Sequence, residues 1–486
     1  MKSLVMMTTS ALFLAQSALA ETPALRPDQQ AFRAIYQELV ETDTSITTGS
    51  CTALAAKIGA RFKAAGFSDS QITYFSVPEA PKEGGVVIVY PGTSQAVKPM
   101  LLLGHIDVVT AKREDWTRDP YKMIEENGYF YGRGTADMKA MDAIWIDTLL
   151  RFKASGYKPK RTVKLALTCG EETTGAFDGA EWLSKNKPDL IAAEFALNEG
   201  GGGRAGPDGK PTVMTLHVGE KIVQNYRIEA TNPGGHSSIP IPDNAIYELA
   251  DALVKIRAYE FPTQLNDTTR AYFARSGAAR KDEVGAAMIA VSKNPQDEAA
   301  VAVLNKDRSY HSMLRTTCVA TLLDGGHANN ALPQRAGANI NCRIFPGNDV
   351  EAIRADLEKA IGDPRMKVTL VPPIRPAAVP PKLDPKIVAP AEKLVAKYYP
   401  GVPLVPVMST GGTDGIYLET IGIPSYGPPG LYGDADSGAH GLNEHARVDA
   451  VYKGRDFLFD LVKDMPAAVE PWRSRAELRR PPCFDF

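Results

Sequence analysis

Three apolar stretches of this sequence each lead into side chains that can bind metal ions. The stretches span residues 100–104, 162–168 and 195–197, and they are followed by His105 and Asp107, by Glu171 and Glu172, and by Glu199. Carboxylates that share a confined site repel one another unless cations neutralise them. Mixed histidine and carboxylate ligands suit zinc, with cobalt or manganese as alternatives, whereas an all-oxygen set would suit magnesium or calcium. The pattern therefore predicts a pair of metal ions.

A sheet of parallel strands would bring these side chains together. Apolar stretches of strand length alternate with amphipathic helical patterns, such as the one at residues 141–152. This alternation predicts an α/β fold with a mainly parallel sheet that helices cover on both faces. Because the carboxyl ends of parallel strands line one crevice, residues far apart in sequence converge there. Asp137, in the glycine-rich loop 132–137, follows the strand of His105 and can reach the same crevice.

Chain length and sequence texture predict two domains. A chain of 486 residues exceeds what one hydrophobic core usually organises. A separate α+β unit is indicated by strand patterns at 223–230, 318–323 and 337–345 and by a long helix at 244–258. We therefore predict a discontinuous catalytic domain at residues 21–218 and 347–486, with an inserted lid domain at residues 219–346.

The first twenty residues differ from the rest of the chain. A positive start at Lys2, a short apolar stretch at 4–14 and a small-residue cleavage site at 18–20 predict a secretory signal peptide over residues 1–20. No later stretch approaches the roughly 18 apolar residues that span a bilayer. The net charge of -2, without a run of Lys or Arg, favours neither nucleic acid nor a membrane surface as a partner. We expect an exported protein, periplasmic or secreted, that acts on small molecules or peptides.

The cysteines do not form the pattern of a disulfide framework. They are scattered and odd in number: Cys51, Cys169, Cys318, Cys342 and Cys483. At most one or two disulfide bonds are expected, and the sequence does not fix their pairing. Cys169 lies in an apolar run, and as a nucleophile it would need a basic partner. The preferred interpretation of Cys169 is a small buried hydrophobic side chain.

Five motifs, in order along the chain, resemble one known family. They are Gly-His-x-Asp at 104–107, Gly-Arg-Gly-x-x-Asp-Met-Lys at 132–139, the pair Glu171-Glu172, the strand-terminal Glu199, and His-x-x-Asn-Glu at 440–444. The chain is similar at these positions to the dizinc hydrolases that include aminoacylase, acetylornithine deacetylase, succinyl-diaminopimelate desuccinylase and glutamate carboxypeptidase. The insert resembles the lid of that family at 235–238, 325–326 and 330–333. The resemblance covers nearly the whole mature chain.

This resemblance implies a role for each residue of the metal site. One zinc ion would be held by His105 and Glu199 and the other by Glu172 and His440, with Asp137 bridging both. Asp107 would accept the free ring N–H of His105 and fix its orientation. Glu171 would be the general base that takes a proton from the attacking water and returns it to the leaving amine. In the family a cis peptide often follows the bridging aspartate, here Asp137-Met138.

The resemblance also implies substrate contacts. His236 of the lid would stabilise the tetrahedral oxyanion, and in dimeric relatives this histidine can come from the neighbouring subunit. The substrate's terminal carboxylate would be bound by Arg343, Asn330, Gly411, Gly412 and Thr413, since a guanidinium and loop amides suit a carboxylate. A surface ion pair is the alternative for Arg343, and the two glycines can also form a tight turn. Four histidines match no ligand position and are assigned structural or solvent roles: His217, His311, His327 and His445.

Other classes of hydrolase lack their motifs in this sequence. Neither G-x-S-x-G nor H-E-x-x-H occurs, and no cysteine has a convincing histidine partner. A catalytically inactive binding protein on this fold would be favoured by a broken ligand set, but every ligand and Glu171 are present. The sequence leaves open whether the chain is a carboxypeptidase or dipeptidase or an N-acyl amino acid deacylase, and export favours peptides. It also leaves open a homodimer through the lid.

Overall fold

The computed structural model describes residues 24–173, 176–375 and 379–465, so the predicted signal peptide at 1–20 and Cys483 lie outside the described residues. The strands are β1 (Ile72–Val77), β2 (Ala80–Tyr90), β3 (Met100–His105), β4 (Ile124–Glu126), β5 (Tyr129–Tyr131), β6 (Val163–Thr168), β7 (Phe195–Leu197), β8 (Gly202–Ala205), β9 (Pro211–Glu220), β10 (Ile222–Thr231), β11 (Gly235–His236), β12 (Thr317–Gly325), β13 (Ala331–Leu332), β14 (Arg335–Ile344), β15 (Lys367–Val371), β16 (Leu404–Ser409), β17 (Ser425–Gly427) and β18 (His445–Arg447). The helices are α1 (Pro27–Val40), α2 (Cys51–Ala64), α3 (Lys139–Ser155), α4 (Gly179–Asn186), α5 (Pro188–Ile191), α6 (Ala245–Ala258), α7 (Asp267–Ala278), α8 (Glu283–Lys293), α9 (Glu298–Leu304), α10 (Arg308–Met313), α11 (Val350–Ile361), α12 (Pro385–Tyr398), α13 (Gly415–Thr420) and α14 (Val448–Asp464).

Nine strands form a large mixed sheet with a parallel centre. The strand order is β1-β2-β6-β3-β7-β17-β9-β16, and β8 pairs with β9. The neighbours β6, β3, β7 and β17 run parallel. At one margin β1 and β2 are antiparallel, because a connection as short as theirs can only form a hairpin. The predicted α/β fold with a mainly parallel sheet is confirmed. The sheet differs from the prediction in that its margins also contain antiparallel pairs.

Helices bury both faces of this sheet. All six residues of β3 are buried, as expected for a parallel strand that is covered on both sides. On one face α1, α2, α3 and α14 pack around a core that includes Trp145 and Phe457. On the other face α4 and α13 pack through Leu183 and Leu418. The strand ends are therefore held in a rigid layer between two helical layers.

A second sheet has four antiparallel strands, in the order β12-β14-β10-β15. Helices α6 and α11 cover one face, with Leu249 and Leu357 in the shared core. Strand β10 alternates between buried and half-buried residues, which is typical of a sheet covered on one side. Helix α11 and strand β15 belong to this unit, although they lie beyond residue 346, where the predicted lid ends. The chain needs α11 as a crossover before β15 can pair with β10.

Four helices within the predicted lid segment pack against the large sheet instead. Helices α7 to α10 form a core with Phe273 and Met288, and Val407 of β16 packs against it. The Arg275 guanidinium donates a hydrogen bond to the backbone oxygen of Leu404 at 3.0 Å. Strand β16 ends the strand order, and a covered edge does not offer its backbone groups to other chains. The helical group therefore protects an edge of the large sheet.

Two disulfide bonds are present among the described residues. One joins Cys51, the first residue of α2, to Cys169, which directly follows β6. The other joins Cys318 of β12 to Cys342 of β14. Cys169 is buried, as expected, but it is not a free hydrophobic side chain: its sulphur is bonded to Cys51, because α2 begins beside the end of β6. In the described part of the chain no helix combines the length and the apolar character that a membrane crossing requires.

Candidate metal centre

The predicted metal ligands meet at one edge of the large sheet. His105 ends β3, and Glu172 and Glu199 lie in the loops that follow β6 and β7. These three strands are neighbours, so their carboxyl ends lie side by side. Asp137 precedes α3, and His440 lies in the loop before β18. The structure thus brings together all five residues from five separate segments.

Asp137 lies between the two histidines. His105 Nε2 is 3.2 Å from Asp137 Oδ1 and 3.8 Å from Glu199 Oε2. His440 Nε2 is 3.2 Å from Asp137 Oδ2 and 2.8 Å from Glu172 Oε2. Each oxygen of Asp137 therefore faces a different histidine, and each histidine also faces a different glutamate, as expected around a carboxylate that bridges two ions.

The donor set fits two metal ions. One group of donor atoms comes from His105, Asp137 and Glu199, another from Asp137, Glu172 and His440, and within each group the atoms lie within 4.8 Å of one another. Each group combines one imidazole with two carboxylates, a mixture that suits zinc and its neighbours in the first transition series. Both groups include Asp137, so the two positions are adjacent.

The electrostatics of this cluster favour bound cations. Burial alone would raise the pKa of Asp137, but hydrogen bonds from His105 and His440 lower it well below its usual range. The hydrogen bond to Asp137 raises the pKa of His440 to about 9, although its partial burial opposes this, and Glu172 adds to the rise. Burial raises the pKa of Glu172 to about 7. Positive charge is thus drawn into the cluster, which is what ligands of a metal pair do.

Asp107 contacts both sides of the cluster. His105 Nδ1 lies 3.2 Å from the backbone oxygen of Asp107 and 3.7 Å from its carboxylate Oδ1. Asp107 Oδ2 accepts the backbone N–H of Glu172 at 3.1 Å. The predicted orientation of His105 by Asp107 thus has a backbone component that the sequence did not indicate. The peptide bond between Asp137 and Met138 is cis.

Glu171 and Arg343 line one cavity of about 550 Å³. Glu171 also lies beside the cluster, with an oxygen within 4.8 Å of donor atoms from His105 and Glu172. Gly412 and Thr413 line the same cavity, and Gly411 directly precedes them. Arg343 lies on β14 and forms no ion pair with any residue that the structure describes. The structure therefore does not show the surface ion pair that was the alternative for Arg343. The guanidinium of Arg343 can bind a carboxylate.

Lys221 is a residue that sequence reasoning missed. It is fully buried and lines the cavity, and its Nζ donates to Ser312 Oγ at 3.1 Å and to Thr317 Oγ1 at 3.5 Å. Burial and, to a smaller extent, the positive charges of Arg343 and Arg315 together lower the pKa of Lys221 to about 7. The signal in the sequence is weak: a lysine stands between two strand patterns where the chain enters the lid.

His236 and Asn330 lie apart from the cavity. His236 lies on β11, which pairs with β13 in a two-stranded ribbon, and Asn330 directly precedes β13; both residues are exposed, and the backbone N–H of Ser237 donates to the backbone oxygen of Asn330 at 3.1 Å. His236 Nδ1 is 2.7 Å from Ser238 Oγ. Neither residue lines the cavity that contains Glu171. Within the described residues of one chain, His236 and Asn330 lie near each other but apart from the metal ligands.

The remaining histidines lie outside the two groups of donor atoms. His217 is buried, with its ring nitrogens 3.2 Å from the Glu199 backbone oxygen and 2.8 Å from that of Gly219. His445 Nδ1 is 3.0 Å from the Asn443 backbone oxygen, and its ring packs against Tyr129. His311 Nδ1 is 3.2 Å from Asn305 Oδ1, and His327 is exposed. These contacts agree with the structural and solvent roles assigned from the sequence.

Comparison with known proteins places the chain in a family. Residues 101–464 match the sequence profile of Peptidase family M20/M25/M40. The N-fatty-acyl-amino acid synthase/hydrolase PM20D1 of Homo sapiens is 26% identical over 408 residues, which are 82% of this chain and 80% of the human protein. The probable carboxypeptidase S-like 2 of Dictyostelium discoideum is 26% identical over 389 residues, which are 78% of this chain and 74% of that protein. Among solved structures, the M20 family metallo-carboxypeptidase Sso-CP2 of Sulfolobus solfataricus aligns with a TM-score of 0.66 at 18% identity, over 90% of this chain and 99% of its own. The chain therefore belongs to peptidase family M20/M25/M40 and is a metallohydrolase of that family.

Proposed function

We propose that this chain hydrolyses the amide bond of small substrates that end in a free carboxylate, as a carboxypeptidase or dipeptidase does. The observation that carries the proposal is that Glu171 and Arg343 line one cavity beside the metal ligands. A guanidinium without an acidic partner binds a carboxylate with charge-assisted hydrogen bonds. A substrate held in this way extends its last amide bond towards Glu171.

In this proposal the cluster would hold two zinc ions, with cobalt or manganese as alternatives. His105 and Glu199 would hold one ion, Glu172 and His440 would hold the other, and Asp137 would serve both. The distances of 2.8 to 3.8 Å between the histidine nitrogens and the carboxylate oxygens support this assignment. When bound, the ions supply an activated water and polarise the scissile carbonyl.

The chain's own residues move the proton and hold the substrate. Glu171 accepts a proton from the attacking water at its carboxylate oxygen and delivers it to the nitrogen of the leaving amine, which restores the carboxylate. Without bound ions, burial is the largest cause that raises the pKa of Glu171, to about 9; the charge of His105 lowers it, and Glu199 and Glu172 raise it. The positive charge of the two ions would lower this pKa again, so that the carboxylate can accept the proton. Arg343 and Lys221 hold the substrate's carboxylate.

An N-acyl amino acid deacylase is the second candidate. The human relative is named for N-fatty-acyl-amino acids, and it matches this chain over 80% of its own length. Both candidates share the half of the substrate that carries the free carboxylate, so the cavity with Arg343 suits either. The group on the other side of the scissile bond separates them.

We further propose that two copies of the chain pair through the four-stranded second sheet, at its edge strand β12. Val319, Leu322 and Leu323 on the edge strand β12 and Tyr247 on α6 are exposed, with Leu322 and Leu323 at 69% and 70%. Exposed apolar side chains that cluster on an edge strand and a neighbouring helix favour an interface between chains. The oxyanion role of His236 requires that, in this dimer, the ribbon with His236 and Asn330 reach the partner's cavity.

Export remains part of the proposal. Residues 1–20 have the order of features of a signal peptide, and residues 51, 169, 318 and 342 form two disulfide bonds. Disulfide bonds persist in oxidising compartments, such as the periplasm and the extracellular space. A periplasmic or secreted hydrolase agrees with both observations.

Metal content and hydrolysis, measured on the same purified mature protein, test the function. We expect about two zinc-like ions per chain, hydrolysis that a chelator abolishes, and recovery when zinc is returned. A dipeptide and an N-acyl amino acid with the same C-terminal residue separate the two candidates. Versions of both substrates with an amidated C-terminus are the control, and they should be poor substrates. A protein that binds no metal and cleaves neither substrate would reject the proposal in favour of a binding protein.

A further inference from the structure

Glu444 carries a buried carboxylate that contacts a loop other than its own. Its Oε1 accepts the backbone N–H groups of Ala136 at 2.8 Å and Asp137 at 3.0 Å. Its Oε2 accepts the backbone N–H of Gly134 at 2.9 Å and the guanidinium of Arg133 at 2.8 Å. A carboxylate has about four sites for hydrogen bonds, so all of them are used. This one side chain fixes the backbone of the loop that ends at Asp137.

Arg133 makes the reciprocal contact. It belongs to the loop of Asp137, and its Nη2 donates to the backbone oxygen of Gly441 at 2.8 Å, next to His440. Its guanidinium lies 5.0 Å from the ring centre of Trp116, and the side chain is buried. Glu444 therefore extends from the His440 loop to the Asp137 loop, and Arg133 extends in the opposite direction.

The loops of Asp137 and His440 need the support of these contacts more than the segments that carry the other ligands do. His105 lies on β3, inside the helix-covered sheet, and Glu172 and Glu199 closely follow the neighbouring strands β6 and β7, whereas Asp137 and His440 lie in loops that do not follow these strands. His440 has a φ of 59°, in the left-handed region that costs energy for a residue with a side chain. Its side chain is 57% exposed, so packing does little to orient it. The contacts of Glu444 and Arg133 replace the support that a strand gives elsewhere.

We infer that Glu444 and Arg133 are positioning residues that assemble the half of the metal centre formed by Asp137, Glu172 and His440. The inference rests on the proposed function, since it concerns the affinity of the cluster for its ions. A glutamine at position 444 keeps the shape of the side chain but turns an NH2 group towards N–H donors that need an acceptor. The two loops then lose their common anchor.

Zinc binding to the metal-free mature chain tests this inference. We expect Glu444→Gln to lower the affinity for one ion by about 10- to 100-fold, as the loss of an orienting contact usually does, and the affinity for the other ion less. The ion affected most should be the one that His440→Ala abolishes, because both anchored loops supply its ligands, whereas only Asp137 is shared with the other group. Excess zinc should restore turnover in the Glu444→Gln protein, because Glu444 does not touch the substrate.

A matched control separates this role from general destabilisation. Arg455→Met removes another buried ion pair, with Asp147 at 2.8 Å, that lies away from the ligands, and it should leave both zinc affinities unchanged. If Glu444→Gln fails to fold, Arg133→Lys is the second variant, and it should weaken the same ion because lysine cannot bridge both partners. Unchanged zinc affinity in the folded variants, or an equal loss in Arg455→Met, would overturn the inference alone. A wild-type chain that binds no zinc would overturn the proposed function as well.

Discussion

In the proposed function, Glu171 acts on the substrate without holding an ion. It lines the cavity that contains Arg343 and directly precedes Glu172 in the sequence. Glutamine at this position keeps the size of the side chain but cannot accept the proton, so we expect Glu171→Gln to lower kcat by about 10²- to 10⁴-fold. Both ions should stay bound. Turnover and metal content, measured on one preparation, check the prediction: retained turnover contradicts the assigned base, and lost metal would make Glu171 a ligand instead.

The buried ammonium of Lys221 predicts a pH dependence of substrate binding. Its pKa is lowered from 10.5 to about 7 by burial and by the charges of Arg343 and Arg315. The folded protein therefore loses this positive charge as the pH rises through about 7. Since the charged form binds a carboxylate better, we expect the KM of the wild type to rise above that pH. Lys221→Met should have a higher KM that no longer changes across the same range.

Arg343→Met is the matched variant for this pH profile. It should raise KM, because the guanidinium is lost from the cavity. It should also move the inflection in KM to higher pH, since Arg343 is one of the charges that lower the pKa of Lys221. An inflection that is identical in the wild type, Lys221→Met and Arg343→Met would assign the titration to another group.

At the scale of single residues, the sequence indicated candidate ligands more readily than the groups that support them. His105 and Glu199 are visible in the sequence because each closely follows an apolar strand pattern. The contacts of Glu444 with Arg133 join positions 311 residues apart, and no local pattern indicates such a pair. Lys221 was missed for a similar reason, because its burial depends on helix α10 and strand β12, which supply Ser312 and Thr317.

Among the elements, the buried strands were the most predictable. Strand β3 is a continuous apolar run because both of its faces are covered, and such runs are recognisable without knowing their partners. Strand β15 is short and partly exposed, and it joins the second sheet only by pairing with β10, far away in sequence. Helices α7 to α10 show the same limit, since only tertiary packing assigns them to the edge of the large sheet.

The two disulfide bonds should stabilise the fold to different degrees. Cys51 and Cys169 are 118 residues apart in sequence, and Cys318 and Cys342 are 24 apart. A longer closed loop restricts the unfolded chain more, so we expect replacing the first pair by alanine to cost about 5 kcal/mol and the second about 3.5 kcal/mol. Unfolding by urea, with each double variant against the wild type, measures the difference. A larger loss from the Cys318 and Cys342 variant would contradict this expectation.

At the scale of the whole molecule, two predicted site residues lie away from the cavity of their own chain. His236 and Asn330 are exposed at the ribbon of β11 and β13, and neither lines the cavity of Glu171. The apolar edge strand β12 belongs to the same inserted segment. A dimer through that edge explains both the exposed apolar side chains and the position of the ribbon, because each chain would complete the active site of its partner.

Mixing two inactive variants tests this arrangement. In a Glu171→Ala chain the base is lost, and in a His236→Ala chain the oxyanion contact is lost, so each homodimer should be nearly inactive. If His236 acts on the partner's site, a mixed dimer has one site with Glu171 from one chain and His236 from the other. Random pairing of equal amounts then restores about a quarter of the wild-type activity. If His236 acts within its own chain, every site in the mixture carries one of the two lesions. An absence of recovery in a dimer shown to have exchanged its chains would therefore exclude the shared site, and a monomer in solution would exclude it as well.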